Sequence, residues 1–168
     1  MMEGFLTDNP SLYRPCVGAV LINSDGLVFA GRRIDAPLAD GGGAWQMPQG
    51  GMDEGEASEA AMYRELAEET SVSKDMVAVL DYHDEWLYYD LPVGLASVLW
   101  GGVFKGQRQK WYALRYLGDD NDINIATAEP EFSAWRWMKK DEIIRKIVPF
   151  KKEVYDVVFS RFERFLAS

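Results

Sequence analysis

In GGMDEGEASEAAMYRELAEETSV, Gly50 to Val72, three glutamates fall within five positions, at 65, 68 and 69. Residues 57–70 are helical by composition, with Met62, Tyr63, Leu66 and Ala67 expected on the side away from the acids. Positions three and four apart are neighbours on a helix, so Glu65, Glu68 and Glu69 share one face about 100° wide. Like charges at that spacing destabilise a helix by a few tenths of a kcal/mol per pair. Two readings compete, a solvated acidic face and a carboxylate cluster for a hard dication. Mg²⁺ takes oxygen ligands and keeps several waters, so a few carboxylates plus substrate phosphates complete its shell. Arg64 either orients one of these ligands from behind or pairs with Glu68 one turn on.

Working outward, CVGAVLI (Cys16 to Ile22) reads as a buried strand, and NSDG turns it into LVFAG as a hairpin. From Ile34 to Gly51 the chain is rich in Gly, Pro and Asp, which predicts a long loop of the functional kind, with Gly41 to Gly43 as a candidate for shaping a pocket. MVAVLDY, SVLWGGVF, KWYALRYL and SAWRWM read as strands, and DEIIRKIV as a short helix. KKEVYDVVFSRFERFLA is a longer amphipathic helix, with Val154, Val157, Val158, Phe165 and Leu166 facing in. The order of strands, helix, strands and helices predicts an α/β fold, a mixed sheet between helical layers. Residues 1–12 read as a tail and 13–168 as a single domain.

The composition is 48% apolar, which excludes a disordered chain. A formal charge of −9 argues against a non-specific nucleic-acid binder and against DNA as a partner, since such proteins carry surplus Lys and Arg. A phosphate substrate whose charge is carried by metal ions remains compatible with it. Cys16 is the one cysteine, which permits no internal disulfide and fits a reducing compartment. His83, the one histidine, excludes a multi-histidine metal site and is expected in a polar loop, DYHDEW. MMEGFLTDNP lacks the features of a secretory signal, and the longest apolar run is too short to span a bilayer. These features predict a cytoplasmic protein without a membrane partner.

The spacing around the acidic helix resembles the Nudix box: Gly50, five residues, Glu56, seven residues, Arg64-Glu65-Leu66, one residue, Glu68-Glu69, one residue, Ser71-Val72. Every chemical position is filled, and serine stands at 71 where the box has glycine. A glycine there supplies the left-handed conformation that closes a helix. Serine in its place costs about 1 kcal/mol, because a Cβ disfavours positive φ, and removes no carboxylate. The resemblance implies an α/β/α sandwich that hydrolyses phosphoanhydrides with Mg²⁺ or Mn²⁺.

YRPCVGAVLIN, AWQMPQGGMDEGE, GQRQKWYAL, EPEFSAWRWM and IVPFKKEVYDVV extend the resemblance to the bacterial RNA pyrophosphohydrolase family, which overlaps with dinucleoside polyphosphate hydrolases. It implies a role in mRNA decay, removing pyrophosphate from a 5′-triphosphorylated RNA end, or else cleavage of diadenosine tetraphosphate. A third possibility is a catalytically silent module that binds nucleotides. Metal ions held by Glu65, Glu68, Glu69 and Glu131 would neutralise the polyphosphate and acidify a bound water. Glu131 matches a family position at the metal site, and either Glu65 or Glu131 is the base. Arg14, Arg33, Lys110 and Lys151 match positions near the triphosphate or first nucleotides. Gln107 and Tyr89 are hydrogen-bonding candidates, and Phe150 is either a platform for a base or a core anchor. Trp45, Trp111, Trp135 and Trp137 sit in strand patterns and are expected in the core.

Overall fold

The computed structural model describes residues 9–35 and 44–168. Strand β1 (Tyr13–Ile22) is buried from Cys16 onward. The Asn23 side chain accepts hydrogen bonds from the backbone N–H of Asp25 and Leu27, at 3.0 and 2.9 Å. That turn, with Gly26 at φ +76°, returns the chain as β2 (Val28–Arg33), antiparallel to β1. The chain continues through β3 (Trp45–Gln46), β4 (Gln49–Gly51) and helix α1 (Ser58–Thr70). Next come β5 (Val77–Asp90), the short α2 (Val93–Ala96) and β6 (Gly106–Tyr116). Strand β7 (Phe132–Met138), α3 (Lys140–Lys146) and α4 (Lys152–Arg161) complete it.

The strands form one mixed sheet of order β3-β2-β1-β6-β5, with β4 also on β1 and β7 on β2. Strands β1 and β6 run parallel, and the other described pairs are antiparallel. Alternation along β1 serves two cores. Val17, Ala19 and Leu21 pack under α1 against Met62 and Leu66. Val20 and Ile22 pack on the opposite side with Trp111, Ile143, Val158 and Phe162. Each fully buried aliphatic side chain contributes roughly 1.5–3 kcal/mol. Helices thus cover both faces, and the fold is the expected α/β/α sandwich. Among the described residues no helix is long and apolar enough to cross a membrane.

Several local expectations are corrected. SVLWGGVF is not a strand: it starts at the cap of α2 and holds a 3₁₀ turn, Leu99–Gly102, with Gly101 and Gly102 at φ +67° and +75°, a conformation no strand adopts. DYHDEW is not a loop, because β5 runs through it, and His83 pairs with Trp111 in β6. The polar residues that suggested a loop belong to a bulge, where the register slips between His83 and Leu87. The long loop after Ile34 is interrupted by β3 and β4, while Gly41 to Gly43 and most of the tail lie outside the described residues.

On α1, Ala67 is exposed and Glu69 buried, so the inward stripe runs one position further round than the apolar residues alone suggest. The last helix ends at Arg161, and its stripe is Val154, Tyr155, Val158, Phe159 and Phe162. Val157 falls off that stripe and is 43% exposed, while Phe165 and Leu166 pack half-buried beside it. Trp111 is fully buried, and Trp45, Trp135 and Trp137 pack partly buried against the two cores.

Candidate functional site

Arg64 organises the N-terminal half of the site. Its Nε and Nη2 donate to the two oxygens of Glu56 at 2.9 Å each, and Nη2 also donates to the Gly51 carbonyl at 2.8 Å. Its Nη1 donates to Glu65 at 2.9 Å and to Glu68 at 3.3 Å. The pairing with Glu68 is present, and the same guanidinium also holds Glu65. Its bonds, joined by one from the Asp53 backbone, hold the Glu56 carboxyl down at about 2. One arginine thus ties the loop before α1 to the helix. A Cβ at Gly50 would overlap the Glu65 carboxyl, and one at Gly51 the Arg14 guanidinium. At either position an added Cβ would have to displace a charged side-chain end that lies directly on β4.

At the other end of α1, Ser71 closes the helix at φ 65°, ψ 11°, its N–H donating to the Ala67 carbonyl. It is the one positive-φ residue other than glycine among those described. Its hydroxyl donates to the Asn124 carbonyl at 2.7 Å, and the Asn124 N–H donates to the Thr70 carbonyl at 2.9 Å. The side chain that strains the cap also ties it to the segment leading to Glu131.

Glu65, Glu68, Glu69 and Glu131 line one open cavity of about 570 Å³, together with Ser71, Thr127 and Glu129. Burial raises the Glu65 carboxyl, against the pull of Arg64. Glu69 is pushed up much further, by its own burial and by the charges of Glu65 and Glu131. One of its oxygens, Oε2, is buried without a hydrogen-bond partner. An orphaned buried carboxylate oxygen among like charges is a group that a cation satisfies. Among the described residues no three acids stand close enough to cage an ion by themselves. The arrangement fits a hard divalent cation completed by water and phosphate oxygens.

Glu131 also borders a second cavity of about 300 Å³. Arg14, Arg33, Tyr89, Gln107, Phe150 and Lys151 all line it, so six of the sequence candidates come together here. Arg33 is held by both oxygens of Asp35, at 3.0 and 2.9 Å. Lys151 is 8% exposed, and its Nζ donates to Gln46 Oε1 at 3.3 Å. Burial, with Arg33 nearby, brings its ammonium down to about 8. Phe150 packs on Tyr89 with ring centroids 5.6 Å apart, so it is both a wall of the cavity and part of the core.

Lys110 is not brought to this cavity. It lies on the other face of β6, beside Arg108, with its Nζ 4.8 Å from the centre of the Trp86 ring. Reasoning from sequence also passed over a glutamine chain. Trp111 Nε1 donates to Gln109 Oε1 at 3.0 Å, while Gln109 Nε2 donates to Gln107 at 2.8 Å and to Gln49 at 3.0 Å. The signal was present, since glutamines two apart in a strand share a face, and a buried strand carrying them must satisfy them. Leu95, from α2, and Leu99, from the segment expected to be a strand, were also unforeseen and supply an apolar wall.

A family model described as NUDIX domain matches residues 12–158. A protein of Cereibacter sphaeroides named RNA pyrophosphohydrolase is 51% identical over 166 residues, 99% of this chain and 100% of its own length. One of the same name from Roseobacter denitrificans is 50% identical, covering 92% and 94%. Among solved structures, an E. coli dihydroneopterin triphosphate pyrophosphohydrolase superposes with a TM-score of 0.66 at 17% identity, covering 89% of this chain and 99% of that one. A C. elegans Ap4A hydrolase gives 0.62 at 20% identity, over 90% and 98%. At such identities these two structures show the fold alone.

Proposed function

The chain belongs to the Nudix family, and from that premise we propose that it is an RNA 5′ pyrophosphohydrolase, converting a 5′-triphosphate end to a 5′-monophosphate with release of pyrophosphate. The observation that carries this reading is identity near 50% along almost the whole chain to proteins of that name. The site supports it with an acid-lined cavity for the polyphosphate's cations and, across Glu131, a cation-lined cavity with aromatic walls for the nucleotide.

Glu65, Glu68, Glu69 and Glu131 would hold Mg²⁺ or Mn²⁺. When bound, such an ion neutralises polyphosphate charge and acidifies water. Arg64 fixes the Glu65 and Glu68 carboxylates in place, so no reorganisation is needed as charge develops. Arg14, Arg33 and Lys151 orient the phosphate chain, and Phe150 with Tyr89 receives a base. Either Glu65 or Glu131 takes the proton of the attacking water. A role in mRNA decay and a cytoplasmic location follow from this reading.

The test compares kcat/KM with Mg²⁺ on RNA labelled at its 5′ β- and γ-phosphates and on diadenosine tetraphosphate. Faster pyrophosphate release from RNA is expected. Faster cleavage of the dinucleotide would assign the same groups to a second adenosine, and inactivity on both would overturn the enzymatic reading.

A further inference from the structure

Arg108 and Lys110 are consecutive residues on the α1 face of β6, the face whose next members, Tyr112 and Leu114, pack against α1. The bulge in β5 folds Trp86 across both. The Arg108 guanidinium carbon lies 4.3 Å from the ring centre and Lys110 Nζ 4.8 Å from it. Arg108 Nε is buried without a hydrogen-bond partner. Asp84 and Glu85 immediately precede Trp86 on the bulge, yet neither forms a salt bridge with these cations among the described residues. In a chain with 27 acids against 18 Lys and Arg, two adjacent cations left to an indole are out of keeping with the rest of the surface.

The register ties this patch to the acidic cavity. Gly50, Val17 and Lys110 lie side by side on β4, β1 and β6, and Glu65 sits directly over Gly50. With strands about 4.8 Å apart, the Lys110 backbone is about 10 Å from that of Gly50. The patch therefore lies on the same face of the sheet as the carboxylates, on the far side of α1, which packs on Val17 between them.

We infer that Trp86, Arg108 and Lys110 form a second binding surface, for the single-stranded RNA that follows the first nucleotides. It rests on the RNA reading proposed above. Arg108 and Lys110 contact phosphodiesters, and a base stacks on the ring face opposite the cations. Cation-backed aromatics bind single strands with little regard to sequence, which suits an enzyme meeting many transcripts. A dinucleoside polyphosphate, lacking a downstream strand, does not use this surface.

The experiment measures kcat and KM with Mg²⁺ on a triphosphorylated dinucleotide, a triphosphorylated octanucleotide and diadenosine tetraphosphate. The variants are Trp86→Ala, Trp86→Phe, the double Arg108→Ala/Lys110→Ala, and Lys139→Ala as a charge control on exposed surface. Circular dichroism confirms that each is folded. Trp86→Ala is expected to raise KM for the octanucleotide about tenfold, the scale of one lost stacking contact, and Trp86→Phe to restore most of it. The double variant should reduce the slope of log KM against log salt by about 1.4, at ~0.7 for each phosphate contact on a single strand. The two short substrates and Lys139→Ala should stay within about twofold of the unmodified protein. An octanucleotide KM that does not move, or that moves no more than that of the dinucleotide, overturns the second surface and leaves the RNA reading intact. Unmodified protein that cleaves diadenosine tetraphosphate but neither RNA overturns both.

Discussion

Glu69 lies among like charges with one oxygen unsatisfied, so its charged form is costly whenever no cation is bound. Glu69→Gln removes that cost without changing shape. The metal-free variant should melt higher than the unmodified metal-free protein, while its kcat falls roughly 10²-fold, the scale of losing one charge-stabilising group. Adding Mg²⁺ should raise the melting temperature of the unmodified protein, as mass action requires, and that of the variant much less. Calorimetry with and without a chelator checks both. Lys151 gives a pH prediction. Its pKa is lowered from 10.5 to about 8, so the folded protein sheds this proton more readily than the unfolded chain. The associated stability is present above 10.5 and lost as pH falls through about 8. Affinity should move the opposite way, with KM rising above pH 8 as the ammonium discharges. Lys151→Met should flatten that rise, and a KM profile of the variant that kept it would remove Lys151 from the proposed substrate contacts.

For the helix α1, the informative position is its last. Ser71 combines an unfavourable φ, worth about 1 kcal/mol, with a hydroxyl bond to Asn124 of similar value. Ser71→Gly should therefore change stability by less than about 1 kcal/mol, since strain and hydrogen bond leave together. Ser71→Ala keeps the strain and loses the bond, so it should destabilise by about 1 kcal/mol in urea denaturation. Both should retain turnover within a few-fold, because neither substitution removes a carboxylate. At the opposite end of α1, Gly50→Ala should be more damaging to activity than to stability, as the added methyl displaces Glu65.

Across the whole molecule, one sheet separates the α1 carboxylates from much of the core. Phe162 is fully buried with α4 on the face away from α1. Phe162→Ala should cost about 3–5 kcal/mol in denaturant unfolding while leaving kcat nearly unchanged well below the melting temperature. The spacing from Gly50 to Val72 determined by itself the family resemblance, the acidic helix and the sandwich that follows from it. Those features are local: a period of 3.6, a run of apolar residues or a fixed interval between charges is complete within one segment. The membership of the two cavities was decided only by the tertiary structure. Strand alternation and the parallel pairing of β1 with β6 set Gln107 facing Phe150 and Lys110 facing away, although the two are three residues apart. Gly101 and Gly102 turned an apolar run that reads as a strand into a turn whose Leu99 lines the second cavity. A β-bulge carried Trp86 onto the cations of the neighbouring strand. Register, bulges and left-handed turns depend on which partner strand is met and where, and that information is spread over the whole chain.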